Sequence, residues 1–289
     1  MKNVINYEVH EKEKLYFGIK IVVAIIGYAI LLNLLQTLLT DENSKTFIPL
    51  LLYIVLFLIY IYFKLGLLIG YIKGNAIKVT KSQFPDIYNI LLSQCATLEI
   101  KNVPDLYIMQ SGGILNAFAT TFWGANYIVL YSEIAEEAYQ NNMKTVEFVI
   151  GHELGHIKRK HLLKTLLLFP SFIVPFLNSA YSRACEYTCD SIGASLCPSG
   201  AKSGLILLAS GKNIWTKVNI EKFIEQESSE SGFWFWFAEK TSSHPRLTKR
   251  IIQFNQVIKS VPVPIPIALH EYAKQNTVEE TDHNRYLPK

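Results

Sequence analysis

The sequence predicts an α+β protein, mainly helical, in which a small β-sheet lies beside one functional helix and a two-helix transmembrane hairpin precedes the rest. Three observations carry that prediction. Two long apolar runs, 19–39 and 47–72, open the chain; three short strand patterns gather between residues 105 and 131; helical patterns at 143–160, 181–196 and 243–258 follow. The chain has 289 residues, half of them hydrophobic, with 28 basic against 24 acidic side chains and a net charge of +4. So small and scattered an excess does not favour nucleic acid as a partner.

Taken in order, residues 1–18 are expected to form a cytoplasmic N-terminus and 19–72 the hairpin. Ile19 to Leu39 is interrupted only by Asn33, Gln36 and Thr37, and at 1.5 Å per residue it is long enough for a hydrocarbon core of about 30 Å. Phe47 to Ile72 carries one charge, Lys64, which can snorkel to a headgroup. A cleaved signal peptide fits poorly, because the first run is long, lacks a small-residue cleavage pattern and is followed by a second span. Lys2, Lys12, Lys14 and Lys20 precede the first span and Lys73, Lys78 and Lys81 follow the second, while the connecting loop holds Lys45 beside Asp41 and Glu42. The positive-inside rule therefore places both ends in the cytoplasm, giving a multi-pass protein of the cell (inner) membrane whose functional domain faces the cytoplasm. Cys95, Cys185, Cys189 and Cys197 form no disulfide-rich pattern, which agrees with a reducing compartment.

Residues 73–274 are read as one soluble domain. It begins with an amphipathic helix over 85–98, carrying Ile87, Ile90, Leu91 and Leu98 at helical spacing. Strands are expected at Asp105 to Met109, Leu115 to Phe122 and Tyr127 to Tyr131, with a hairpin turn at 123–126. The stretch 162–180 is apolar but broken by Pro170 and Pro175 and charged at Lys164. It is read as an interfacial helical hairpin touching the membrane, with a third span as the alternative. A polar tail, 275–289, closes the chain.

The chemistry concentrates in His152-Glu153-Leu154-Gly155-His156 on the helix over 143–160. Histidines four apart lie about 40° apart around a helix, so both imidazoles reach one cation, zinc by preference, and Glu153 sits where it can take a proton from water. This is the layout of a metallopeptidase. A catalytic zinc needs a third protein ligand and an open position. His161 follows His156 by five residues, one short of the known pattern with a third histidine, and Arg159 stands where that pattern has glycine, so His161 is read as a helix-end residue. Glu186 is the better candidate: Asp190 is one helical turn on and can accept a hydrogen bond from a ligand histidine. Spacing alone does not separate this from an ordinary exposed acidic face. Cys185 and Cys189 are also four apart, but no second pair completes a four-sulfur site.

Four separated motifs occur together: Asn116-Ala117-Phe118-Ala119-Thr120, His152 to His156, Glu186 to Asp190, and His244-Pro245 followed by Arg250. Through them, over roughly residues 75 to 260, the chain resembles the membrane-bound zinc endopeptidases of the HtpX and CAAX prenyl protease (gluzincin) superfamily. The resemblance implies a zincin-like metallopeptidase domain with one zinc ion per subunit, held by His152, His156 and Glu186. It implies Glu153 as general base and Asp190 as support for a ligand. It also implies that Asn116, Ala117, Phe118 and Ala119 pair with an extended substrate, against the plainer reading of a core strand. His244 can stabilise an oxyanion, or 242–245 can simply start a helix; Arg250 is open in the same way. The implied function is hydrolysis of peptide bonds in membrane-protein quality control or processing, with a membrane-associated protein or peptide as substrate and the lipid bilayer as the other partner. The alternative is a catalytically silent zinc-containing membrane sensor or scaffold, against which the intact Glu153 argues. HtpX-like proteins usually place two clear spans between the zinc motifs, where this chain has only 162–180. The aromatic run Phe233 to Phe237 is expected at the membrane interface, in a substrate pocket or in the core.

Overall fold

Apolar side chains with no interior to fill dominate the first two helices of the computed structural model, which describes residues 7–40, 48–110, 112 and 116–260. Helices α1 (Glu11–Thr40) and α2 (Ile48–Asn75) are 30 and 28 residues long, and both are long and apolar enough to cross a membrane. Ile25, Leu32, Phe57 and Phe63 lie exposed on them, a liability in water that vanishes against lipid tails as apolar as leucine. Helix α1 starts at Glu11, ahead of the expected residue 19. Lys20 is also not a free cytoplasmic charge. It is fully buried, donates to Asn178 Oδ1 at 2.7 Å and lies over the rings of Phe172 and Tyr181. The connecting loop falls outside the described residues.

The sheet is β1 (Ile77–Lys78), β2 (Asp105–Met109), β3 (Ala117–Phe122) and β4 (Ala125–Tyr131), in the order β1-β2-β4-β3. Strands β2 and β4 run parallel and the other pairs antiparallel, so among the described residues β3 is an edge strand bonded to β4 alone. The expected turn at 123–126 is tighter than predicted. Trp123 and Gly124 both have positive φ, 49° and 80°, as a two-residue hairpin turn matched to strand twist requires, and β4 begins at Ala125. Leu115, where the third strand was expected to begin, lies outside the described residues. Ile128 and Leu130 of β4 and Leu106 of β2 face a core shared with Ile87 and Leu91 of α3 (Pro85–Thr97), Ile134 of α4 (Ser132–Gln140), and Phe148 and Ile150 of α5 (Met143–Lys158).

Past α5 the chain forms α6 (His161–Leu167), a 3₁₀ turn (Phe169–Ile173) and α7 (Leu177–Leu196). The stretch 162–180 is therefore not one straight span: Pro170 opens the 3₁₀ turn and α7 starts four residues earlier than expected at 181. It packs on α1, where a Cβ on Gly27 would sit 2.6 Å from Pro170 and Tyr28 donates to the Leu167 carbonyl at 2.6 Å. Then come α8 (Pro198–Ser210), a 3₁₀ turn (Trp215–Lys217), α9 (Ile220–Ser229), α10 (Phe233–Thr241) and α11 (Leu247–Ser260). Helices α4, α8, α9 and α10 have no counterpart in the sequence-based expectation. The aromatic run forms α10, with Phe233, Trp234 and Trp236 exposed. Pro245 lies ahead of α11 instead of in its first turn. One compact unit runs from Met1 to Phe254; in the second, 255–289, the described residues complete α11, and the expected tail 275–289 lies outside them.

Candidate metal centre

Helix α5 is capped by Asn142, whose side chain accepts from the Lys144 amide, and its glycines decide what lies beside it. A Cβ on Gly151 would come within 3.1 Å of Gly193 Cα, and one on Gly155 within 3.2 Å of Cys189 Cα. On α7, a Cβ on Gly193 would meet the Phe148 carbonyl oxygen at 3.0 Å. Bare backbones at these crossings let α5 and α7 approach until the carboxylates of α7 reach the histidines of α5.

The result is a triangle. His152 Nε2 and His156 Nε2 are 3.3 Å apart, and Glu186 places one oxygen 3.4 Å from each. Donors at 2.0–2.1 Å from a tetrahedral ion stand about 3.3–3.4 Å from one another, so the three fit such an ion at one face, and two imidazoles with a carboxylate match the donor preference of zinc. Asp190 accepts from His152 Nδ1 at 2.9 Å and is clamped by Arg250 through Nε and a terminal nitrogen at 2.7 and 2.6 Å. His152 and Glu186 face each other as an ion pair. Burial opposes charge on His152, but hydrogen bonds to Asp190 and Glu186 raise its pKa to about 10. Burial likewise opposes charge on Glu186, yet His152 and His156 hold its carboxyl well below the usual range. Asp190 is lowered against its burial by the Arg250 guanidinium and the hydrogen bonds it receives. His152 would have to give up its Nε2 proton to hold a cation with His156 and Glu186, so such binding would strengthen as pH rises.

Among the described residues two other groups have ligand-like spacing: His156, His161 and Cys189, and the buried Glu13, His161 and Cys185. Neither suits a divalent ion as well. Burial, with Glu186 and other acidic neighbours, pushes the Cys189 thiol well above its ordinary range, where the thiolate a metal needs is scarce. Glu13 is already engaged by Arg159 at 2.8 Å. Of these residues only His152, His156 and Glu186 line the cavity, about 210 Å³, that also meets Glu153, His244, Arg250, Phe148, Val149, Leu208 and residues Asn116 to Ala119 of and before β3.

The structure thus gathers His152, Glu153, His156, Glu186, His244 and Asn116 to Ala119 around one cavity, with Asp190 behind. His244 Nε2 is 3.6 Å from Glu186 and its side chain is 64% exposed, at the cavity mouth. The expectation for His161 needs correction. Lys160 takes a left-handed conformation, φ 54°, that ends α5 and turns the chain back, so His161 is buried with its Nδ1 3.1 Å from His156 Nδ1. Burial, with His156 alongside, outweighs the hydrogen bond to Glu13 and lowers the His161 pKa to about 4. Glu13 escaped sequence reasoning altogether, since nothing local marks a residue 148 positions from its partner. Phe148 and Val149 were legible only as apolar positions on α5.

The profile of peptidase family M48 matches residues 81–174 and 167–257, which together span more than half of the chain. The chain belongs to peptidase family M48. M48 members are metallopeptidases, and both matched stretches contribute to the cavity described above. This M48 chain is 26% identical to the plastoglobule-localized metallopeptidase 48, chloroplastic, of Arabidopsis thaliana, over 65% of this chain and 61% of that protein's length. It is 27% identical to a protease HtpX homolog of Helicobacter acinonychis, over 60% of this chain and 67% of the relative. The crystal structure of S. mikatae Ste24p aligns with 85% of this chain and 67% of that one, at 14% identity and a TM-score of 0.45.

Proposed function

We propose that this M48 chain is a membrane-anchored zinc endopeptidase acting at the cytoplasmic face of the cell membrane. The observation that carries the reading is the His152, His156 and Glu186 triangle, with 3.3–3.4 Å edges, facing a cavity walled by an edge strand. A bound zinc supplies Lewis acidity toward a carbonyl and makes water a stronger acid at neutral pH. His152, His156 and Glu186 hold it, and Asp190 with Arg250 fixes the ring and tautomer of His152. Glu153 takes the proton of the attacking water and later gives it to the leaving amine. His244, at the mouth, donates to the oxygen on which negative charge develops.

Strand β3 offers the edge that no described strand covers to a substrate, whose extended backbone it pairs with beside the helix. Backbone pairing is indifferent to most side chains, which supports cleavage of varied unfolded segments of membrane proteins, as quality control requires. Exposed Phe233, Trp234 and Trp236 of α10 and Leu167, Phe172 and Ile173 before α7 suit the membrane interface and would keep the cavity near such segments.

The test is Glu153→Gln in the purified full-length protein. The expected outcome is zinc content equal to wild type with casein cleavage reduced by at least about a thousandfold, in line with loss of a general base. Cleavage at a wild-type rate overturns the reading.

A further inference from the structure

His152 and His156 both turn Nε2 toward Glu186, so each keeps Nδ1 for the protein. For His152 the partner is Asp190, a buried carboxylate held by Arg250. For His156 the partner is His161, Nδ1 to Nδ1 at 3.1 Å. His161 Nε2 in turn lies 3.3 Å from Glu13 Oε1, and that same oxygen receives Arg159 Nε and a terminal nitrogen at 3.2 and 2.8 Å. One choice of tautomers satisfies the whole line. His156 donates from Nδ1 to His161, His161 donates from Nε2 to Glu13, and Arg159 donates to Glu13. Both ligand histidines are thus backed by an arginine-clamped carboxylate, directly at His152 and through one imidazole at His156.

We propose that Glu13 of α1 is a positioning residue that fixes the tautomer and orientation of His156 through His161, making the first membrane helix a working part of the metal centre. Glu13 is 1% exposed and His161 6%, so neither serves solubility, and a carboxylate buried at this depth is costly unless something is gained. The left-handed Lys160, a strained conformation for a side-chain-bearing residue, is what brings His161 back to His156. The packing of α1 on α7 delivers Glu13 from the other side: His10 stacks on Tyr187 with ring centroids 5.0 Å apart, and the His10 amide donates to Thr188.

The inference rests on the zinc reading of the site. Its test is zinc affinity of the full-length chain in detergent, by competition with a chromophoric chelator, for wild type, Glu13→Gln, His161→Phe and the double variant. Visible spectra of the Co(II)-loaded proteins are recorded alongside. Wild type is expected to bind one zinc, each single variant to bind it about 10–100-fold more weakly, and the double variant no more weakly than His161→Phe. The cobalt bands shift in every variant, while the unfolding midpoint in excess chelator stays at the wild-type value for Glu13→Gln, which keeps the size of the side chain. Affinities within twofold of wild type with unmoved cobalt bands overturn the proposal. So does an affinity loss matched by an equal fall of the chelated midpoint, which marks Glu13 as a packing residue. Two zinc ions in wild type and one in Glu13→Gln overturn it in favour of a second cation site at Glu13, His161 and Cys185. A wild type without zinc, or a Glu186→Ala variant with wild-type affinity, instead brings down the underlying reading of the site.

Discussion

Three carboxylates surround the two motif histidines, and their neighbours divide the labour among them. Asp190 is committed to Arg250 and His152, Glu186 faces both Nε2 atoms, and Glu153, buried at the cavity wall, has no ion-pair partner among the described residues. A carboxylate without a competing cation is the one available to receive a proton. Asp190→Asn keeps an acceptor near His152 but leaves the buried Arg250 with its main countercharge neutralised. Zinc affinity is expected to fall about 10–100-fold, read by chelator competition, with Glu153 untouched. An affinity equal to wild type would place Asp190 outside the support of the site.

Glycine spacing on α5, α7 and α8 sets how closely these helices assemble the centre. Gly200, in the first turn of α8, is the tightest case, since a Cβ there would lie 1.9 Å from the Lys144 carbonyl oxygen, which is backbone and cannot swing aside. Gly200→Ala should push α8 off the start of α5 and cost roughly 1–3 kcal/mol or more, seen as a lower unfolding midpoint in detergent. An unchanged midpoint would mean the crossing is not as close as described. The helix of the His-Glu motif, strands β2, β3 and β4 and the two apolar helices are legible in sequence because period and length suffice for them, whereas the two-residue β1 is too short to show a period. Helices α9 and α10 are not legible either: α9 has an apolar stripe, Ile220, Phe223 and Ile224, that packs half-buried against the core, but over 10 residues it is too short for the period to stand out, and α10 opens with five consecutive aromatic residues, which point all around the helix. Helix α8 carried a usable sign in Pro198 at its first turn. At the site, the cavity residues that share a motif could be listed from sequence. The turn at Lys160 could not, because nothing in Arg159-Lys160-His161 announces a left-handed residue. The pairing of His161 with Glu13 depends on α1 docking against α7, which is a tertiary fact.

At the scale of the molecule, a catalytic-type cavity and a pair of membrane-length helices belong to one compact unit, Met1–Phe254. They are joined through buried polar contacts, Lys20 to Asn178 and Glu13 to Arg159, as well as through apolar packing. With Lys20 buried, the charge bias for orientation rests on Lys2 in the sequence ahead of α1, Lys12 and Lys14 in the first turn of α1, and Lys73, Lys78 and Lys81 at and after the end of α2. These still outweigh the loop between the helices. A non-specific protease added outside intact cells should therefore leave the soluble part whole, while the same protease on inverted membrane vesicles should degrade it. Degradation in intact cells would reverse the orientation.

The central claim is that the metal sits among His152, His156 and Glu186 and not in the neighbouring group of His156, His161 and Cys189. X-ray absorption at the zinc edge of the loaded full-length protein separates them. The predicted shell holds two imidazoles and oxygen donors at about 2.0–2.1 Å with no sulfur; a sulfur scatterer at about 2.3 Å would contradict it.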